Sequence, residues 1–168
     1  MENFYWGFLM LAAVFIFIVA YGDHLKKKAQ EIQSALDAQK KEVFGNVKRI
    51  LLIQKRLYVV VKSYIFTKNP DILRGIGVID LDLSSNDLKP ILDVFRQSIV
   101  TIRTSIINNR AYSDLQSNEY FSSLVTEFTD LFDSLIVALP KYNSLVEEYN
   151  AFYKAHGILK SEEEIVLY

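Results

Sequence analysis

The side chains best placed to do chemistry in this 168-residue chain are those of Tyr142-Asn143 and Tyr149-Asn150. The two pairs are seven residues apart, so on a helix all four lie along one side. They offer two amphipathic rings and two amides, groups that bury and hydrogen-bond but do not shuttle protons at neutral pH. The rings of Tyr142 and Tyr149 are expected to bury against the first helix, with Asn143 or Asn150 hydrogen-bonding across it or both asparagines facing solvent. Other chemistry is harder to assemble. His24 and His156 are the only histidines, and no Glu-x-x-His pair exists for a carboxylate-bridged metal site. His156 stands near Glu162–Glu164, but one imidazole beside a solvated acidic run is a poor ligand set. The absence of cysteine excludes disulfides, thiol catalysis and cysteine–zinc sites. No glycine pattern cradles phosphate, and no nucleophile elbow is present. Arg96, Arg103 and Arg110 repeat every seven residues as an anion stripe or, more simply, as a solvated face paired with acidic neighbours. No metal, cofactor or enzymatic activity is expected.

The elements that must carry these residues read as helices. Six Gly and three Pro in the whole chain disfavour a turn-rich β fold. Leu25, Ala29, Ile32, Leu36, Val43, Val47, Ile50, Leu57, Val61 and Ile65 recur at three and four residues, one apolar stripe continuing to about Phe66. Thr67–Ser85 is the main break, where Asn69-Pro70, Gly75 and Gly77 stop the helix and Ser84, Ser85 or Asn86 can cap the next. A second stripe (Leu88, Leu92, Phe95, Ile99, Ile102, Ile106) tolerates Pro90 in its first turn. Ser113-Asp114-Leu115-Gln116 fits a capping box. The third stripe is Phe121, Leu124, Phe128, Leu131, Leu135, Ala138, Tyr142, Leu145, Tyr149 and Phe152, with Gly157 closing the helix. The second helix is expected to return towards the start of the first and the third to rise again. Pro140 is expected to bend the third so that Tyr142–Tyr153 folds over the far end.

Ahead of all this, Phe4–Tyr21 holds eighteen consecutive residues without a charge. That run spans roughly 27 Å as a helix, against a hydrocarbon layer of ~30 Å, with Phe4, Tyr5, Trp6 and Tyr21 at its ends. A cleaved secretory signal would need a basic stretch before it, and only Met1, Glu2 and Asn3 precede it. It is read as a retained anchor through residues 4–21. Lys26, Lys27 and Lys28 flank it on the C-terminal side and place the body in the cytoplasm and the short N-terminus outside.

The formal net charge of −1 conceals a segregation. Ten Lys/Arg face four acids between Gly22 and Phe66, whereas three Lys face ten acids from Ser113 onward. The basic half could meet nucleic acid or lipid headgroups; the favoured reading is two amphipathic segments packing on each other with opposite surface charge, and no nucleic acid.

The stretch Tyr142-Asn143-Ser144-Leu145-Val146-Glu147-Glu148-Tyr149-Asn150 resembles the late YNxxVxxYN signature of the LemA family. Asp114-Leu115-Gln116-Ser117-Asn118 with Phe121 and Leu124 is similar to that family's YPdLkan-x-x-F-x-x-L segment, Tyr112 taking the Tyr position. Leu57 and Val61-Lys62-Ser63-Tyr64 are similar to its NLVxTVKGY segment. The resemblance covers roughly residues 22–154. The chain departs from the family at Lys55 and Ser113, where Pro is usual, and at Phe132 and Leu139-Pro140, where Glu and Arg are usual. The resemblance implies a membrane-anchored, cytoplasm-facing helical bundle and lends architecture more than mechanism.

The expected protein is all-α: a transmembrane helix (1–22) continuous with the long helix of a three- or four-helix antiparallel bundle (23–157), then an acidic tail (158–168). Its expected location is the inner (plasma) membrane as a single-pass protein. Its expected role is a non-enzymatic interaction or scaffold module with protein partners on the bundle surface, self-association being left open. The alternative is a membrane-tethered sensor binding a ligand between helices.

Overall fold

The computed structural model describes residues 2–65, 69–77 and 88–157, with side chains in the first segment from Met10 onward. It is all-helical and contains no strand among the described residues. Helix α1 runs unbroken from Glu2 to Ile65. Gly22 and Gly45 sit inside it in open surroundings, so each costs only the ~1 kcal/mol of a helical glycine. The apolar stripe predicted on this helix is buried from Ala29 to Ile65, and Leu25 is half-buried.

Asn69-Pro70, expected to end α1, also opens a new helix. Asn69 accepts a hydrogen bond from the Asp71 amide at 3.2 Å, and Pro70 occupies the first turn of α2 (Pro70–Ile76). Gly77 ends α2 at φ +26°, a conformation that favours glycine. Helix α3 (Lys89–Thr101) starts with Pro90 in its first turn and Leu88 at the cap position; Ser84, Ser85 and Asn86 lie outside the described residues. It continues as a π-helical stretch over Ile102–Ile107, followed by a 3-10 turn at Arg110–Tyr112. The short helix α4 (Ser113–Gln116) then leads to α5 (Glu119–His156).

The capping box does not form. Gln116 turns instead to the end of the π-helical stretch, its Nε2 donating to the carbonyls of Ile106 (2.7 Å) and Asn109 (2.8 Å). Freed carbonyls at a helix end outcompete a distant cap for that amide. Asn118 caps α5, accepting from the Phe121 amide at 2.9 Å. Gly157 closes α5 in the left-handed conformation (φ +44°), its N–H donating to Tyr153, as the sequence predicts.

Helices α1 and α5 form a long antiparallel pair. Asn118 at the start of α5 donates to the Tyr64 hydroxyl at 3.0 Å near the end of α1. Arg49 faces Glu127 at 3.9 Å, and Tyr153 near the end of α5 shares a groove with Lys26, Gln33 and Asp37. In α5, Phe121, Phe128, Leu135, Tyr142 and Tyr149 recur every seven residues, as do Leu124, Leu131, Ala138, Leu145 and Phe152. This is the heptad of a coiled-coil seam.

Two expectations are corrected. Phe95 meets Phe128 edge-on at 6.1 Å, while Ile107 shares a groove with Phe121 and Val125. The α3–π segment therefore runs parallel to α1, and α5 is the returning helix. The order is a long ascent, a short descending α2, a second ascent and a long return. Among the described residues, a third layer thus covers only the half of the hairpin remote from the N-terminus. Nor does Pro140 fold the chain over that remote end: α5 is one helix through it, and Tyr142, Tyr149 and Phe152 are buried along the seam towards the N-terminal end of α1. Pro140 and Ile136 are both exposed, so the Ile136 carbonyl that loses its donor can be hydrated.

Among the described residues, no helix is long and apolar enough to cross a membrane. The uncharged run has described side chains only from Met10; those of Phe4, Tyr5 and Trp6 lie outside them, as does the tail 158–168 with Glu162–Glu164.

Helix α2 seats closely on the ascending segment. A Cβ on Gly75 would lie 2.5 Å from Thr101 Oγ1 and 3.1 Å from its Cβ, so rotating the threonine cannot clear it. Gly75→Ala should cost about 1–3 kcal/mol of overpacking, more than the ~1 kcal/mol gained in helix propensity. A lowered urea midpoint for the full chain in detergent, partly restored by Thr101→Ala, is the expected result.

Candidate functional site

The tyrosine–asparagine repeat lies on α5 because it is a piece of the heptad: each Tyr occupies a seam position and each Asn the flank beside it. Tyr142 is 3% exposed and Tyr149 9%. Asn143 and Asn150 are half-buried. Asn143 is engaged in a contact, and its buried Oδ1 accepts no hydrogen bond. The structure thus brings all four predicted residues to one side of one helix, with the rings inward.

The rings continue into a cluster at the C-terminal end of α5. Tyr149 and Tyr153 are 4.3 Å apart between centroids, and Phe152 lies 6.0 Å from Tyr153 and 4.5 Å from His156. His156 Nδ1 is 2.8 Å from the Phe152 carbonyl, a bond that needs the tautomer protonated at Nδ1. That fixes the imidazole as a C-terminal helix cap. Beside the cluster is an open groove of about 520 Å³ lined by Lys26, Gln30, Gln33, Asp37 and Tyr153. Lys26, Lys27 and Lys28 are exposed at the same end, next to the apolar first turns of α1. No group of three or more His, Asp or Glu residues that could hold a metal occurs among the described residues. Arg96 is exposed and pairs with Asp93 one turn away (3.5 Å), and Arg103 and Arg110 are exposed.

The sequence reading missed a polar knot in the core. Gln54 (1% exposed) donates from Nε2 to the Ile76 carbonyl (2.9 Å) and to the Ser98 hydroxyl (2.8 Å). Ser98 Oγ, fully buried, lies 2.9 Å from the Val94 carbonyl and 3.1 Å from that of Ile76. One amide thereby ties α1, α2 and α3 together. The available signal was phase: Ile50, Gln54, Leu57 and Val61 keep the core spacing, so the glutamine stands where an apolar residue is due. Gln39, 4% exposed, has the same character further down the seam.

Comparisons with protein-family models, curated proteins and solved structures give no match.

The geometry assigns the rings, more than the Asn150 amide, to holding the seam. Tyr142→Ala should lower stability by about 3–5 kcal/mol, as for other large core aromatics. Asn150→Ala should change it by less than about 1 kcal/mol. Urea titration of the full chain in detergent, followed by far-UV circular dichroism, separates the two.

Proposed function

We propose that this is a membrane-anchored, non-enzymatic helical-bundle protein of LemA type, tethering an interaction surface to the inner face of the plasma membrane. One observation carries the anchor. Met10, Leu11, Val14–Val19 and Tyr21 are all exposed on a helix whose first turns no other described element covers. Nine large apolar side chains left in water forfeit on the order of 15–25 kcal/mol, more than a small domain's whole stability. A bilayer relieves that deficit, and the rigid continuation of α1 carries the bundle directly away from it.

The LemA reading is supported by the tyrosine–asparagine repeat falling on the seam of a long helical hairpin. The interaction reading is supported by the core: its deepest polar groups, Gln54 and Ser98, bond to one another and to backbone. That leaves the outer helix faces as the part of the protein available for recognition. The same closure weighs against a ligand held between the helices at that level.

Lys26, Lys27 and Lys28 set the orientation, with the body in the cytoplasm. A reporter active only in the cytoplasm, fused after Tyr168, is expected to be active. Activity confined to a reporter that works only after export would reverse the topology and remove the proposed role at the cytoplasmic face.

A further inference from the structure

The α1–α5 seam is apolar, and the Arg49–Glu127 pair across it is long at 3.9 Å with both side chains about half exposed or more. Opposite charges also mark the two outer edges of the hairpin. On α1, Lys41, Lys48, Leu52, Arg56 and Val59 follow one another at seven, four, four and three residues, forming one exposed face about 27 Å long. Leu52 is 53% and Val59 66% exposed. On α5, Asp130, Asp133, Val137 and Glu148 form a matching exposed face of the same length, with Lys141 as its one basic member; Val137 is 77% exposed.

The antiparallel register puts these faces at the same height. From the Tyr64–Asn118 contact and the groove that Tyr153 shares with Ala29 and Gln30, Gly45 stands at about the level of Val137, and Lys48 at about that of Asp133. Gly45 leaves a notch in the α1 face, with nothing within 4 Å of where its Cβ would be.

We infer that the surface fits a second copy of this chain, the basic edge of α1 in one molecule lying along the acidic edge of α5 in the next. Pairing α1 with α1 would set lysine against lysine, and α5 with α5 aspartate against aspartate. The head-to-tail combination instead sets Lys48 against Asp133, with Val137 entering the Gly45 notch; Lys141 comes level with Lys41, a like-charged meeting that the matched pair must outweigh. Molecules held the same way up by one bilayer meet at equal height, which is the height at which Lys48 meets Asp133 and Val137 meets Gly45. The contact is heterologous, so each molecule keeps one edge of each sign open and the copies join into a row or ring. The common orientation rests on the proposed anchor.

The absence of native cysteine permits a direct test on the full chain in its own membrane. Gly45→Cys together with Val137→Cys should give a ladder of disulfide-linked dimers, trimers and higher species on mild oxidation. Asp133→Lys added to that chain should reduce the ladder at least tenfold, and Lys48→Asp added in turn should restore it. A chain that resists alkaline extraction but gives no ladder would overturn the contact, as would Val137→Cys alone linking to itself as strongly as the pair. Release by alkali would sink the anchor. The ladder, read in whichever fraction holds the chain, then decides the contact separately.

Discussion

The seam between α1 and α5 is the constraint on which the other features depend. Two helices, one of 64 residues and one of 38, are held side by side by a strict seven-residue repeat on the shorter one. Phe121, Phe128, Leu135, Tyr142 and Tyr149 alternate with Leu124, Leu131, Ala138, Leu145 and Phe152 along it, and all five of the first set are buried. Such a repeat fixes the register, because a slip by one turn would set Tyr142 against a different level of α1 and move Gln39 out of its buried place. Once that register is set, the end of α5 must lie beside Lys26–Asp37, and the remaining elements must pack where the pair leaves room.

The described elements α2 and α3 take that room at the far half. There Gln54 reaches across to α2 and α3, and its amide replaces several apolar contacts with a directional one. An apolar residue would fill the same space, yet it would not specify which turn of α2 seats there; a buried amide that finds its acceptors does. Gly75 allows the close approach and Gln54 locks it. Among the described residues the near half has no third layer, and its helix pair ends in the aromatic cluster of Tyr149, Phe152, Tyr153 and His156 next to the lysines. A stalk joined without a break to an apolar helix transmits orientation rigidly, which suits a protein whose proposed work is to hold a surface at a set distance from a bilayer.

Much of this was legible in the sequence where a single period governs the chain. The three apolar stripes, the end of α1 near Ile65, the glycine cap at Gly157 and the burial of Tyr142 and Tyr149 all follow from helical spacing. What was not legible is what spacing does not encode. The direction of α3 depends on the descending α2 before it, and a seven-residue helix is too short to show a period of its own. The path of Gln116 depends on carbonyls exposed at the end of a π-helical stretch, which a capping motif read locally does not anticipate. Pro140 looked like a bend because its ring removes a backbone bond. The heptad on either side holds α5 to α1 through that defect, and the freed carbonyl lies on the wet side. The Gln54 knot is not legible because helical phase marks the position as buried but does not name the acceptors, which belong to α2 and α3.

The most direct measurement of the central claim, one helix passing from lipid into the bundle, is a nitroxide scan along residues 10–32 of the full chain in lipid vesicles. Oxygen and a water-soluble nickel chelate report lipid and water exposure at each site. The proposed anchor predicts high oxygen and negligible nickel accessibility from Met10 to Val19, without helical periodicity. Beyond Asp23 a 3.6-residue rhythm should set in, with minima at Ala29 and Ile32 where α5 covers α1. Nickel accessibility throughout 10–21, or loss of helical rhythm between Gly22 and Lys28, would contradict it.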